Sequence, residues 1–167
     1  MKNLRNFKQY LWILPVLGII LNILSLIIPI FYDLTSREVF WILGFKSSNI
    51  DGLKMISNEF LLLFSFITSF IIIVFSYGLF KNAYLIYQRK EELKIIKYWL
   101  AWILIGIFSI LLIYFYISFD FWDRFDFKWD FWDSYQFSGA MVLLFISGSW
   151  MIVSGVLLKL LDYYNFL

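Results

Sequence analysis

Four long stretches of the chain contain no Asp, Glu, Lys or Arg: Tyr10–Tyr32, Phe60–Phe80, Tyr98–Phe119 and Phe137–Leu158. They hold 23, 21, 22 and 22 residues. A helix needs about 20 apolar residues to cross the hydrocarbon core of a bilayer. The pattern predicts an all-α integral membrane protein, a left-handed bundle of four transmembrane helices forming one domain over residues 1–167. The spans are about 10–32, 60–80, 98–119 and 137–158, joined on one side by two short outer loops with a possible small β-element. An outer-membrane barrel would show alternating strands of about 10 residues instead. Lys2, Arg5 and Lys8 precede the first run. That run exceeds the roughly 7–15 apolar residues of a cleaved signal, which predicts an uncleaved first helix.

Polar residues inside the spans fall on seams. Pro15, Gly18, Asn22, Ser25 and Pro29 recur at intervals of 3, 4, 3 and 4. The second span carries Ser65, Thr68, Ser69 and Ser76, the third Gly106 and Ser109, the fourth Ala140, Ser147, Gly148, Ser154 and Gly155. In lipid, apolar burial does not drive helices together, whereas close approach at small residues and interhelical hydrogen bonds do. Gly18, Asn22, Ser25, Ser65, Ser69, Gly106, Ser147, Gly148 and Gly155 are therefore the expected packing residues. Asn22 is the most polar of them. It reads either as an interhelical hydrogen-bonding group or as a ligand to a substrate or ion. An amide with no charged partner favours the first.

The connections differ in character. Residues 81–97 hold good helix formers and no Pro or Gly, so the second and third helices are expected to extend past the spans and turn near Gln88–Glu92. Residues 33–59 contain Val39–Phe45, "VFWILGF", a short strand or a segment lying on the membrane surface. Asn49, Asp51 and Ser57 are candidate caps for a short helix leading into the second span. Phe119–Phe137 has ten aromatic residues and five Asp among 19. Asp120, Asp123, Asp126, Asp130 and Asp133 recur at helical spacing, giving an interfacial amphipathic helix. Arg124–Phe131 alternates polar and aromatic, giving a half-buried strand that would pair with Val39–Phe45. The aromatic set Trp122, Phe125, Trp129 and Trp132, with Trp41 from the other loop, suits a protein–protein contact, since such residues dominate interface hot spots. The Asp spacing lacks a calcium-loop pattern, and no acid/base pair with a pocket is implied.

Charge sets the expected orientation. Lys2, Arg5, Lys8, Lys81, Arg89, Lys90, Lys94, Lys97 and Lys159 lie on one side, against Arg37, Lys46, Lys54, Arg124 and Lys128 on the other. The positive-inside rule then places both termini in the cytoplasm of a multi-pass cell-membrane protein. Trp12, Trp99 and Trp102 are expected in the inner aromatic belt.

Composition narrows the chemistry. Hydrophobic residues make up 62% and charged residues 16%, and mean hydropathy is +0.80. The absence of His and Cys removes imidazole bases, thiol nucleophiles, disulfides and Cys/His zinc sites. A net charge of +2 does not suggest nucleic acid. Neither cofactor nor metal nor catalytic residue is expected.

Four spans with cytoplasmic termini resemble the claudin and tetraspanin families. "IIPIFYD" followed by "VFWILGF" is similar to the region after the first helix of claudin-like proteins, where a short outer strand carries a Trp in a W-x-x-G-L-W context. Trp41 and Gly44 match part of it. The second Trp and the claudin Cys pair are absent. Asn22 resembles the intramembrane Asn of the first tetraspanin helix, but the tetraspanin Cys-Cys-Gly motif is missing. The resemblance implies lateral assembly or adhesion rather than catalysis. The expected function is structural, by self-association or docking on other membrane proteins. The alternative is an accessory subunit of a larger membrane enzyme or transport complex. A small transporter or channel fits less well, because the spans are free of charge.

Overall fold

The computed structural model describes residues 10–33, 37–48, 52–57, 59–88, 98–123 and 135–163. For residues 60, 61, 115–123, 135–137 and 162 it describes the backbone alone. Four helices and a small antiparallel sheet make up these residues: α1 (Ile13–Ile27), α2 (Glu59–Tyr87), α3 (Tyr98–Asp123) and α4 (Gly139–Tyr163). Leu62–Tyr87 and Gly139–Leu161 are long and apolar enough to cross a membrane. The apolar stretches Ile13–Ile27 and Tyr98–Tyr114 are shorter.

The first run is not helical throughout. Pro29 disfavours helical geometry at the residue before it, and Ile28 is extended at φ −83°, ψ 143°. The chain leaves α1 there and enters β1 (Phe31–Asp33). Strands β2 (Val39–Phe40), β3 (Phe45–Ser48), β4 (Gly52–Met55) and β5 (Tyr135–Phe137) complete one sheet in the order β4-β3-β2-β1-β5, with every described pairing antiparallel. Val39–Phe45 is thus a hairpin rather than a single strand. β5 pairs with β1, in register Phe31↔Phe137, and not with Val39–Phe45. No short helix occupies the described residues before α2, because β4 takes residues 52–55. Asn49, Asp51 and the helix-or-strand segment 124–134 lie outside the described residues. α2 runs seven residues beyond its expected span and ends in a turn at Gln88.

Packing is uneven around the bundle. α1 lies between α2 and α4, α3 lies along α4, and α2 and α3 touch sparingly. The α2–α3 contacts include an edge-on pair, Phe75 and Phe108, with centroids 6.0 Å apart. The segment that links α1 to the sheet supplies acceptors for backbone N–H groups at the start of α4. Ala140 N–H donates to Pro29 O at 3.1 Å and Ser138 N–H to Ile30 O at 3.0 Å. The first N–H groups of a helix have no partner within it, so these bonds close the start of α4.

Trp102 departs from the aromatic-belt expectation. It is fully buried in an apolar cluster with Leu11, Leu79, Met151 and Leu158. Trp12 and Trp99 are half-buried. Trp99 lies under the Lys159 ammonium, 5.2 Å from ring centroid to Nζ.

Candidate functional site: the hairpin anchor, the helix seams and the outer face of the sheet

The motif Trp41–Gly44 is a three-residue hairpin turn. Gly44 N–H donates to Trp41 O at 3.0 Å and Trp41 N–H to Phe45 O at 2.9 Å. Such a loop ends on a residue in the left-handed region, and Gly44 has φ +84°. A side chain there would also crowd Leu62 Cδ1 at 2.9 Å. The turn points into the helices. Ile42 is wholly buried among Leu26, Ile72, Leu112 and Leu144, one from each helix. Two hydrogen bonds fix it: Ser69 Oγ donates to Ile42 O at 2.8 Å, and Trp41 Nε1 donates to Ile27 O at 3.0 Å. The second satisfies a carbonyl at the end of α1, where no further helical N–H follows. Trp41 therefore caps a helix and anchors a hairpin. The signal for this was the Gly three residues after Trp41, but nothing local marked Ile42 as the inserted residue.

The packing residues divide by what they touch. Added Cβ atoms at Gly106 and Gly148 would meet each other's carbonyl oxygens at 2.5 and 2.7 Å, and at Gly155 the Trp99 oxygen at 2.6 Å. The α3 and α4 backbones therefore approach to contact. Gly18 instead faces side chains, with Met151 Sδ at 2.6 Å from such a Cβ. Asn22 Oδ1 accepts from Ser147 Oγ at 2.7 Å, an interhelical bond between α1 and α4 that the hydroxyl shares with Gly18 O at 3.3 Å. Ser25 is buried, yet its hydroxyl donates within its own helix to Asn22 O. Ser65 is buried on α2. Trp150, not singled out from sequence, donates from Nε1 to Leu14 O at 2.9 Å and adds a further α4–α1 bond.

The sheet registers place Lys54, Lys46, Phe40 and Phe31 in one cross-strand row, and Leu53, Ser47, Val39 and Tyr32 in the other. Successive residues of a strand face opposite ways. Phe31 and Phe40 pack against the helix core, so their row faces it. On the opposite face Leu53 is 67% and Met55 51% exposed, beside half-buried Phe45, Val39 and Tyr32. Lys46 bonds Glu38 at 2.9 Å with both partly exposed, a pair of little energetic weight. The side chains of Trp122, Phe125, Trp129 and Trp132 lie outside the description.

Among the described residues no three metal-ligating groups converge. A shallow, almost wholly apolar depression of about 300 Å³ on α4 is lined by Phe145, Ile146, Ser149, Trp150 and Val153. It offers one hydroxyl and no charge, so it suits an apolar chain better than a polar molecule. No family model, curated protein or solved structure matches the chain.

Proposed function

We propose that the protein is a multi-pass membrane protein whose function is lateral assembly, scaffolding or adhesion, with the sheet as its contact surface. In this reading the four helices form a left-handed transmembrane bundle, the sheet lies outside the cell membrane and both termini are cytoplasmic. The basic residues favour that orientation, since nine of fourteen lie in the sequence before the first apolar run, between the second and third, or after the fourth.

One observation carries the reading. The row of the sheet that faces the bundle carries Phe31 and Phe40 with Lys46 and Lys54, and the described side chains of the uncovered face are apolar except for Ser47. An antiparallel sheet resting on a core needs one apolar face, and the other is ordinarily polar. Here Leu53, Met55, Phe45, Val39 and Tyr32 occupy the second face. Exposed apolar patches of this kind mark interaction surfaces. The two anchoring bonds and the buried Ile42 hold that surface rigidly on the helices, so contacts made by it orient the whole bundle. The resemblance to claudin-like proteins supports the same reading, because Trp41 lies directly after a short strand of this sheet. Trp122, Phe125, Trp129 and Trp132 precede β5 in the chain and supply further aromatic contact area.

The test is native mass spectrometry of protein extracted gently from its own membranes. Self-multiples that revert to monomer on L53S/M55S, with insertion unchanged, are the expected result. Replacing Trp122, Phe125, Trp129 and Trp132 by Ser is expected to weaken assembly in the same way. A fixed mass containing a different, larger chain would instead make the protein an accessory subunit. A monomer under all conditions would overturn the proposal.

A further inference from the structure

Two apolar clusters fill the space between the helices, and a polar layer separates them. The cluster near the sheet takes Leu26, Ile72, Leu112 and Leu144, one from each helix. The far cluster takes Leu11, Leu79, Trp102 and Met151. Between these levels the helices bury polar side chains: Asn22 and, next to Leu26, Ser25 on α1, Ser76 on α2, Ser109 on α3 and Ser147 on α4. Gly18 fixes the depth. A Cβ there would meet both Met151 Sδ and Leu79 Cδ1, so α1, α2 and α4 converge at that level. Asn22, Ser147 and Ser76 lie about one turn nearer the sheet on their respective helices.

Hydrogen bonds account for only part of this layer. Ser147 donates to Asn22 Oδ1, and Ser109 donates to Ile105 O in its own helix at 2.9 Å. Among the described residues, Asn22 Nδ2 and Ser76 Oγ have no partner, although both atoms are shut away from the surface. Ser and Thr in a helix ordinarily donate to the carbonyl four residues back, as Thr68 and Ser109 do here. Ser76 does not. Two polar atoms on facing helices, one a pure donor and the other a donor and acceptor, are thus left over at one level. Leaving such groups unpaired in an apolar interior is costly.

We propose that this layer is a water-binding site. One water molecule between α1 and α2 accepts a hydrogen bond from Asn22 Nδ2 and bonds Ser76 Oγ. The described groups of the layer are neutral, which suits water and not an ion. A buried water typically makes about three bonds to otherwise unsatisfied groups. The site ties α2 to α1, the neighbour on which α2 chiefly depends, since it touches α3 sparingly.

Thermal unfolding of the full chain in lipid nanodiscs tests this, because the two possibilities differ in sign. If water bridges the pair, S76A lowers Tm by about 2–4 °C relative to S149A, which reports the helix effect of the same change elsewhere. The S76A/N22L double variant then melts no lower than N22L alone, since losing either partner empties the site. If the layer is dry, S76A removes an unpaired hydroxyl and Tm holds or rises, which overturns the proposal. The sign for S76A decides even if N22L fails to fold. X-ray footprinting separates water from a direct Asn22–Ser76 bond. Radicals formed from water in the layer oxidise the buried Met151 nearby, and S76A reduces that labelling. A coupled pair with Met151 unlabelled would overturn the water.

Discussion

Replacing Gly148 by Ala tests the close approach of the α3 and α4 backbones. The added methyl would lie 2.7 Å from Gly106 O and 2.8 Å from Ile110 Cγ1. The oxygen belongs to the α3 backbone and cannot swing aside. Ordinary contact begins at 3.4 Å, so the helices must part locally by about 0.7 Å, the difference between 3.4 and 2.7 Å. A gap of that order forfeits about a quarter to a half of each dispersion contact across it. Overpacking of this kind costs about 1–3 kcal/mol. Ala also favours helix over Gly by about 1 kcal/mol, which offsets part of the loss. Gly78 isolates that second contribution, because a Cβ there meets nothing within 4 Å. G148A is therefore expected to fall below G78A by about 1–3 kcal/mol in reversible unfolding in mixed micelles. G106A and G155A, each facing a backbone oxygen, are expected to behave like G148A. Equal stability for G148A and G78A would refute the close approach of α3 and α4.

Three further outcomes follow from the anchor and the seam. G44A forces a left-handed backbone on a residue with a side chain and crowds Leu62, at about 1–3 kcal/mol, and amide exchange in β2 and β3 should accelerate with it. W41F keeps an aromatic ring but drops the bond to Ile27 O, at about 0.5–1.5 kcal/mol, read in the same unfolding assay. N22L and S147A remove the two sides of one interhelical bond worth about 0.6–2 kcal/mol. Their double-mutant cycle should show coupling of that order, and strict additivity would mean that the bond contributes nothing.

The sequence by itself determined the four apolar helices and their approximate limits, because charge-free length and 3.6-residue periodicity are local properties. It also placed the small and polar residues on seams. Pro29 could have marked the end of α1, since a proline acts on the residue directly before it. Tertiary structure decided the rest. Nothing in β5 announces that it pairs with β1 about a hundred residues earlier, because strand propensity does not choose a partner. Trp102 fits an interfacial belt by position and composition, yet the meeting of all four helices buries it. Ile42 is one aliphatic residue among many, and only the direction of the hairpin drives it into the core. The polar layer has the same origin. Asn22, Ser76, Ser109 and Ser147 sit in four separate apolar runs, and their common depth exists only once helix lengths, turns and tilts are set together. Local chemistry fixes which residues can be buried, whereas three-dimensional packing fixes what they are buried against.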